Sequence, residues 1–305
     1  MKISIHATVS DNSISYYRYM LANYAALTSR HNELRIHAYC LDARSARELW
    51  GMGGAASVRE LPYGRGSGGH AEAIELALAN LSADEINVIA DTDVVILAEN
   101  WDQRIVGAMM GGPRYGIIGT RLEDVGGFSS GDVKYQQYKR KPTTTWMALS
   151  PAHDFSKLQV RPDKANEIPV KTEELSALYN LPIGYTVVKD TGWQIPSYLA
   201  KHDIPYLALD IVKPTDSAAK ALRGTNPYHD EFQWDGETFL AHQRGSMTHR
   251  FRIDPLSVDF YSACDGYLGN PSWTIRPTEL DRARARVQDV GRFAKRLAKK
   301  VLGRG

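Results

Sequence analysis

The sequence predicts an α/β fold: a mostly parallel central sheet flanked by helices, followed by an amphipathic helix at the C-terminus. Two observations predict the sheet. Strand-like stretches in the first hundred residues are separated by helical patterns about ten residues long, the arrangement of βαβ units. The run "NVIADTDVVIL", residues 87–97, is almost wholly apolar, as a strand buried on both faces requires.

The elements follow in order. "MKISIHATV" alternates Ile3, Ile5, Ala7 and Val9 with polar residues, the period of a strand over 3–9, and is unlike a signal peptide. A helix is expected near 15–29, a second strand at 34–42 and a short helix near 43–52. A strand at 57–63 leads to the glycine-rich turn "GRGSGG" and a helix over 70–81, and then to the 87–97 run. Beyond residue 100, "RYGIIGT", "TTTWMALS" and "PYLALDIV" read as strands, with a polar loop at 123–142 and a helix at 192–202. No repeat or low-complexity linker divides the chain, so one domain is expected.

Composition narrows the function. Of 305 residues, 43% are apolar and 24% charged, ordinary proportions for a soluble globular chain. Cys40 and Cys264 are the only cysteines, which excludes a disulfide framework and favours a reducing, cytoplasmic setting. No apolar run approaches the ~20 residues of a membrane span. The net charge of +2 is uneven: residues 279–305 hold nine Lys/Arg against three acids, about +6, which leaves about −4 elsewhere. The body therefore offers nothing to a nucleic acid. The tail's apolar positions Leu280, Ala283, Val287, Val290, Ala294, Leu297 and Val301 make one helical stripe beside many cations. Such a helix packs on the domain or on its twin in a homodimer, or makes peripheral contact with anionic lipid at the inner face of a membrane.

Asp91 and Asp93 interrupt the 87–97 run. Two desolvated carboxylates on one side of a strand need compensation. Ligands of open α/β sheets bind outside the carboxyl ends of the strands, and paired carboxylates there suit Mn²⁺ or Mg²⁺ beside a diphosphate. The plainer reading is a capped turn or pairing with arginine.

The segment "GSGGHAEAIELALANLSADEINVIADTDVVIL" resembles the central part of the GT-A fold glycosyltransferases, in which a glycine-rich turn opens a helix and the next strand ends in Asp-x-Asp. The likeness extends weakly over 1–115 and resumes at "DTGW" (190–193) and "FLAHQRGS" (239–246). It implies a Rossmann-like domain over 1–277, with a nucleotide-sugar-binding half (1–115) and an acceptor-binding half (116–277), then the basic helix 278–305. It also implies a hexosyltransferase-type enzyme that moves a sugar from a UDP- or GDP-sugar to a hydroxyl of a glycan, lipid-linked sugar or polysaccharide. By the same resemblance Asp93 and His242 match metal ligands, and Asp91 matches a residue that touches metal, ribose or both, with Thr92 between. Thr8, Asn12 and Asp42 lie on the donor edge, where Asp42 is otherwise a helix N-cap. Arg65, Ser67 and His70 surround a helix N-terminus that favours an anion. Asp190 matches the catalytic base of inverting members, since an acceptor hydroxyl needs a carboxylate to take its proton. The chain departs from the commoner Glu-Asp pair there, because Lys189 precedes Asp190. Trp146 and Trp193 are candidates for stacking on the acceptor sugar.

Two other classes fit less well. A haloacid-dehalogenase-like phosphatase also carries Asp-x-Asp after a strand, but near its N-terminus and with a later acidic pair, where "SGDVKYQQ" has one acid. Nucleotidyltransferases expect a glycine- and arginine-rich signature where "HATVSDN" stands. A non-catalytic sugar-binding module of the same fold is the remaining alternative.

Overall fold

A computed structural model describes residues 1–61, 66–112, 114–122, 128–130, 133–163, 165–226, 229–244, 255–269 and 271. Arg65, the side chain of Ser67 and the tail helix expected over 278–305 lie outside this description.

Along the chain come β1 (Lys2–Val9), α1 (Ile14–Leu27), β2 (Glu33–Cys40), α2 (Ala43–Met52), β3 (Ser57–Glu60) and α3 (Gly66–Leu78). Next are β4 (Ile86–Asp91), β5 (Val94–Ile96), α4 (Trp101–Val106), β6 (Ile117–Arg121), β7 (Phe128–Ser130), β8 (Val133–Gln136) and β9 (Pro142–Leu149). The last are β10 (Ile168–Pro169), α5 (Glu173–Tyr179), β11 (Tyr185–Val187), α6 (Ile195–Lys201), β12 (Tyr206–Ala208), β13 (Asp210–Val212), β14 (His229–Trp234), β15 (Glu237–Gln243) and α7 (Pro255–Tyr267).

Seven strands form the central sheet in the order β12-β6-β9-β4-β1-β2-β3. Every pairing in it is parallel except those of β9, which runs against both β4 and β6. The fold is thus mixed α/β with a mostly parallel sheet, and helices cover both faces. Alternate residues of β1 show why. Ile3, Ile5, Ala7 and Val9 pack with Tyr17, Met20 and Tyr24 of α1 and Trp101 of α4. On the other face Ile74 and Leu78 of α3 and Leu199 of α6 pack with Tyr39, Ile89 and Met147. Ser4, His6 and Thr8 lie buried between these layers. Among the described residues no helix is long and apolar enough to cross a membrane.

The 87–97 run is not one strand. β4 ends at Asp91, the chain turns at Thr92–Asp93, and β5 joins a separate antiparallel sheet of order β13-β14-β15-β5. The uniform apolarity of 94–97 comes from two different cores: Val94 and Ile96 pack into the main one, Val95 and Leu97 against Tyr16, Tyr19 and Phe260. A third sheet, β10-β11-β8-β7, occupies part of the region expected to be a loop at 123–142.

Candidate active site

The parallel register brings the sequence-predicted residues to one edge. Thr8 lies beside Asp91 on the neighbouring strand, and Val9 beside Cys40, so the carboxyl ends of β1, β2 and β4 open on the same crevice. Asp42 starts α2 there as its N-cap. Its Oδ1 accepts the Ser45 N–H at 2.7 Å and its Oδ2 accepts the Asp11 N–H at 2.9 Å, which fixes the turn carrying Asn12.

Across the crevice, α3 places His70 with Nε2 2.8 Å from Asp91 Oδ1. Burial alone would lower the His70 pKa. The Asp91 carboxylate, by its charge and its hydrogen bond, and the charges of Asp93 and Asp190 outweigh burial and raise it above the usual histidine value. Asp190 is therefore close enough to be felt at His70, although the two are far apart in sequence.

The turn after β4 puts Asp91 on the central sheet and Asp93 at the head of β5, so the two carboxylates bridge two sheets. The hydrogen bond from Gln243 N–H to Asp93 O, 3.2 Å, and the pairing of His242 with Val94 fix β15 alongside. His242 Nε2 comes within 3.7 Å of Asp93 Oδ1. One ligand atom each from Asp91, Asp93 and His242 all lie within 4.8 Å of one another, a group with no parallel among the other described histidines, cysteines and acids. Two carboxylate oxygens and one imidazole nitrogen so close together fit a hard or borderline divalent cation such as Mn²⁺ or Mg²⁺. Behind the group stand the hydroxyls of Tyr24 and Tyr261. Burial above all holds both well above the usual tyrosine range; the charges of Asp91 and Asp93 add to it at Tyr24, and Tyr16 and then Asp93 add to it at Tyr261.

The "DTGW" turn is shaped by Gly192, whose φ of +85° suits glycine; a Cβ there would also lie 3.0 Å from Thr144 Cγ2. Asp190 Oδ1 accepts the Thr191 N–H and Oδ2 accepts Gln137 Nε2 at 3.1 Å. Trp193 is partly exposed, with the Lys189 ammonium 4.3 Å from its ring centroid. Trp146 corrects the expectation that it stacks on a sugar. It is 0% exposed, edge-on to Trp101 and Phe239, and belongs to the core.

Three residues beyond the sequence reading are tied to His242. Asp230, almost fully buried on β14, pairs with Lys213 and Arg244 and lies beside His242. The signal available in the sequence was the adjacent pair Asp230–Glu231 within the strand-like "HDEFQW".

No protein-family profile matches the chain, and no curated protein matches it in sequence. Solved structures do. A structure of S. aureus TarS is 14% identical with a TM-score of 0.35, over 68% of this chain and 60% of that one. Another, of TarS in complex with UDP-GlcNAc, is 14% identical with a TM-score of 0.36, over 89% and 68%. Mouse xyloside xylosyltransferase 1 in its apo form is 12% identical with a TM-score of 0.37, over 69% and 86%. The chain thus spans about 60% of the first of these, and at TM-scores this low the likeness does not itself assign an activity.

Proposed function

We propose that the chain is a metal-dependent glycosyltransferase that moves a sugar from a nucleoside-diphosphate sugar to an acceptor hydroxyl. The observation that carries this reading is the convergence of Asp91, Asp93 and His242 at the carboxyl edge of parallel strands. Asp91, Asp93 and His242 hold the cation, which when bound neutralises the diphosphate and eases its departure. Thr8, Asn12 and Thr92 line the donor, and Arg65 and Ser67 are assigned to it by the sequence resemblance alone. Asp42 acts on the base side through the turn it fixes, since both its oxygens already accept N–H groups. His70, the partner of Asp91, reaches the donor from α3 and offers its imidazole to the diphosphate. Asp190 takes the proton of the acceptor hydroxyl, with Gln137 and its own turn holding the carboxylate, and Trp193 offers an aromatic surface to the acceptor ring.

A thermal-shift panel of UDP, GDP, CDP and their sugars, with and without Mn²⁺, tests the reading. A ligand that binds only the native state raises the melting point according to its saturation. At least one nucleotide should stabilise the protein only when Mn²⁺ is present. No shift from any nucleotide with the metal would contradict the proposal.

A further inference from the structure

Asp230 has no part in the transfer as described, yet it is among the most enclosed of the described acids, 2% exposed. It stands directly across from His242 in the antiparallel pairing of β14 with β15, where facing side chains are close neighbours. Its Oδ2 lies 4.0 Å from His242 Nδ1, while Nε2 of the same ring lies 3.7 Å from Asp93 Oδ1. The imidazole is thus held between two buried carboxylates, with one nitrogen toward each.

A buried carboxylate without partners is costly, and Asp230 is compensated from two sides. Arg244 reaches both of its oxygens, through Nε to Oδ2 and through Nη2 to Oδ1 at 2.7 Å, the fork geometry that fixes a carboxylate plane. Lys213, just after β13, meets Oδ1 from the other side. Two cations from two separate segments therefore leave Asp230 little freedom to turn away from His242.

We infer that Asp230 is a positioning residue for His242: it keeps the imidazole proton on Nδ1 and the Nε2 lone pair aimed at Asp91 and Asp93. At 4.0 Å the contact is too long for a hydrogen bond, so Asp230 acts as a fixed acceptor oxygen facing Nδ1 across the hairpin. A histidine that binds metal through one nitrogen depends on what its other nitrogen meets, and loss of such a partner typically weakens metal binding about 10- to 100-fold. The inference rests on the metal-binding reading and adds to it the residue that sets the tautomer of its imidazole ligand.

The test uses the full chain and Mn²⁺ alone. Calorimetry gives the affinity, and pulsed electron paramagnetic resonance gives the nitrogen hyperfine coupling of a bound imidazole. The parent should bind Mn²⁺ with a nitrogen coupling that His242→Ala abolishes. Asp230→Asn should weaken binding by about 10- to 100-fold and diminish that coupling, with circular dichroism unchanged. Should Asp230→Asn fail to fold because Arg244 is left unpaired, the double variant Asp230→Asn, Arg244→Gln removes the stranded cation and carries the same expectation. Unchanged affinity and coupling in either variant overturns the positioning role while leaving the metal site intact. Failure of both to fold makes Asp230 a structural pin and overturns it equally. A parent that binds Mn²⁺ without nitrogen coupling removes His242 as a ligand and the positioning role with it, and a parent that binds no Mn²⁺ removes the metal reading itself.

Discussion

The His70 imidazole on α3 and the Asp91 carboxylate at the end of β4 meet at 2.8 Å, so the helix whose first turn holds Gly66, Gly68 and Gly69 is tied to the acidic pair by a charge-assisted contact. His70→Ala should remove this contact and an imidazole beside the donor phosphates. Hydrogen bonds to charged groups contribute about 1.5–3 kcal/mol, so nucleotide affinity should fall by about tenfold or more. Calorimetry with the nucleotide that responds in the thermal-shift panel checks this, and unchanged affinity would remove His70 from the donor site.

Asp190 is near enough to His70 for its charge to raise the imidazole pKa. Asp190→Asn should cut turnover by about 10²-fold or more while nucleotide affinity stays near the parent value. Kinetics and calorimetry on the same preparation separate the two. Near-normal turnover, or a product that keeps the donor's anomeric configuration, would count against an inverting base here.

His6 lies on β1, buried, its ring nitrogens meeting Tyr39 Oη and Asn87 Oδ1 at 3.1 Å each. Burial pushes its pKa down to about 4; the Asn87 contact opposes this only in part, and the nearby His37 and Arg59 charges add to it. The unfolded chain takes up this proton below about pH 6.5, but the folded protein does so only near pH 4. The associated stability is thus fully present above pH 6.5 and is lost as pH falls toward 4, by up to about 3 kcal/mol. Urea midpoints at pH 7 and pH 5 should differ, and His6→Gln should narrow the difference. Parallel behaviour of parent and variant would show that other groups govern the acid limb.

Glu231, fully buried, accepts the N–H groups of Lys220, Ala221 and Leu222 together with the Gln233 amide and the Thr238 hydroxyl. Glu231→Ala leaves three backbone donors without this acceptor. Each stranded buried group costs about 1–3 kcal/mol, so the loss should exceed 3 kcal/mol, with Glu231→Gln milder because one acceptor oxygen remains. Denaturant unfolding decides; a loss under 1 kcal/mol would mean that the 213–226 segment finds water or other partners instead.

Much of this architecture was legible in the sequence because it follows from periodicity. The alternation in β1 and the helical patterns around it are local signals, and they mark the edge where Thr8, Asp42 and Asp91 meet. The break between β4 and β5 was not legible. Val88 to Leu97 are apolar on both sides of the acidic pair, and only tertiary pairing with β15 decides that the chain changes sheets at Thr92–Asp93. Trp146 shows the same limit. An aromatic on a strand beside the site reads equally as platform or core, and it is the neighbours Trp101 and Phe239 that make it core. Asp230 was missed because its meaning depends on facing His242 across a hairpin, a relation of register that no spacing motif expresses.

The central claim is that a cation held by Asp91, Asp93 and His242 carries the donor's diphosphate. Calorimetry of the responding nucleotide against the parent and Asp93→Asn, each with and without Mn²⁺, tests it most directly. Asp93→Asn should retain the parent's circular dichroism spectrum and lose the Mn²⁺-dependent part of nucleotide binding. Equal nucleotide affinity in parent and variant, with no effect of Mn²⁺ on the parent, would contradict the account.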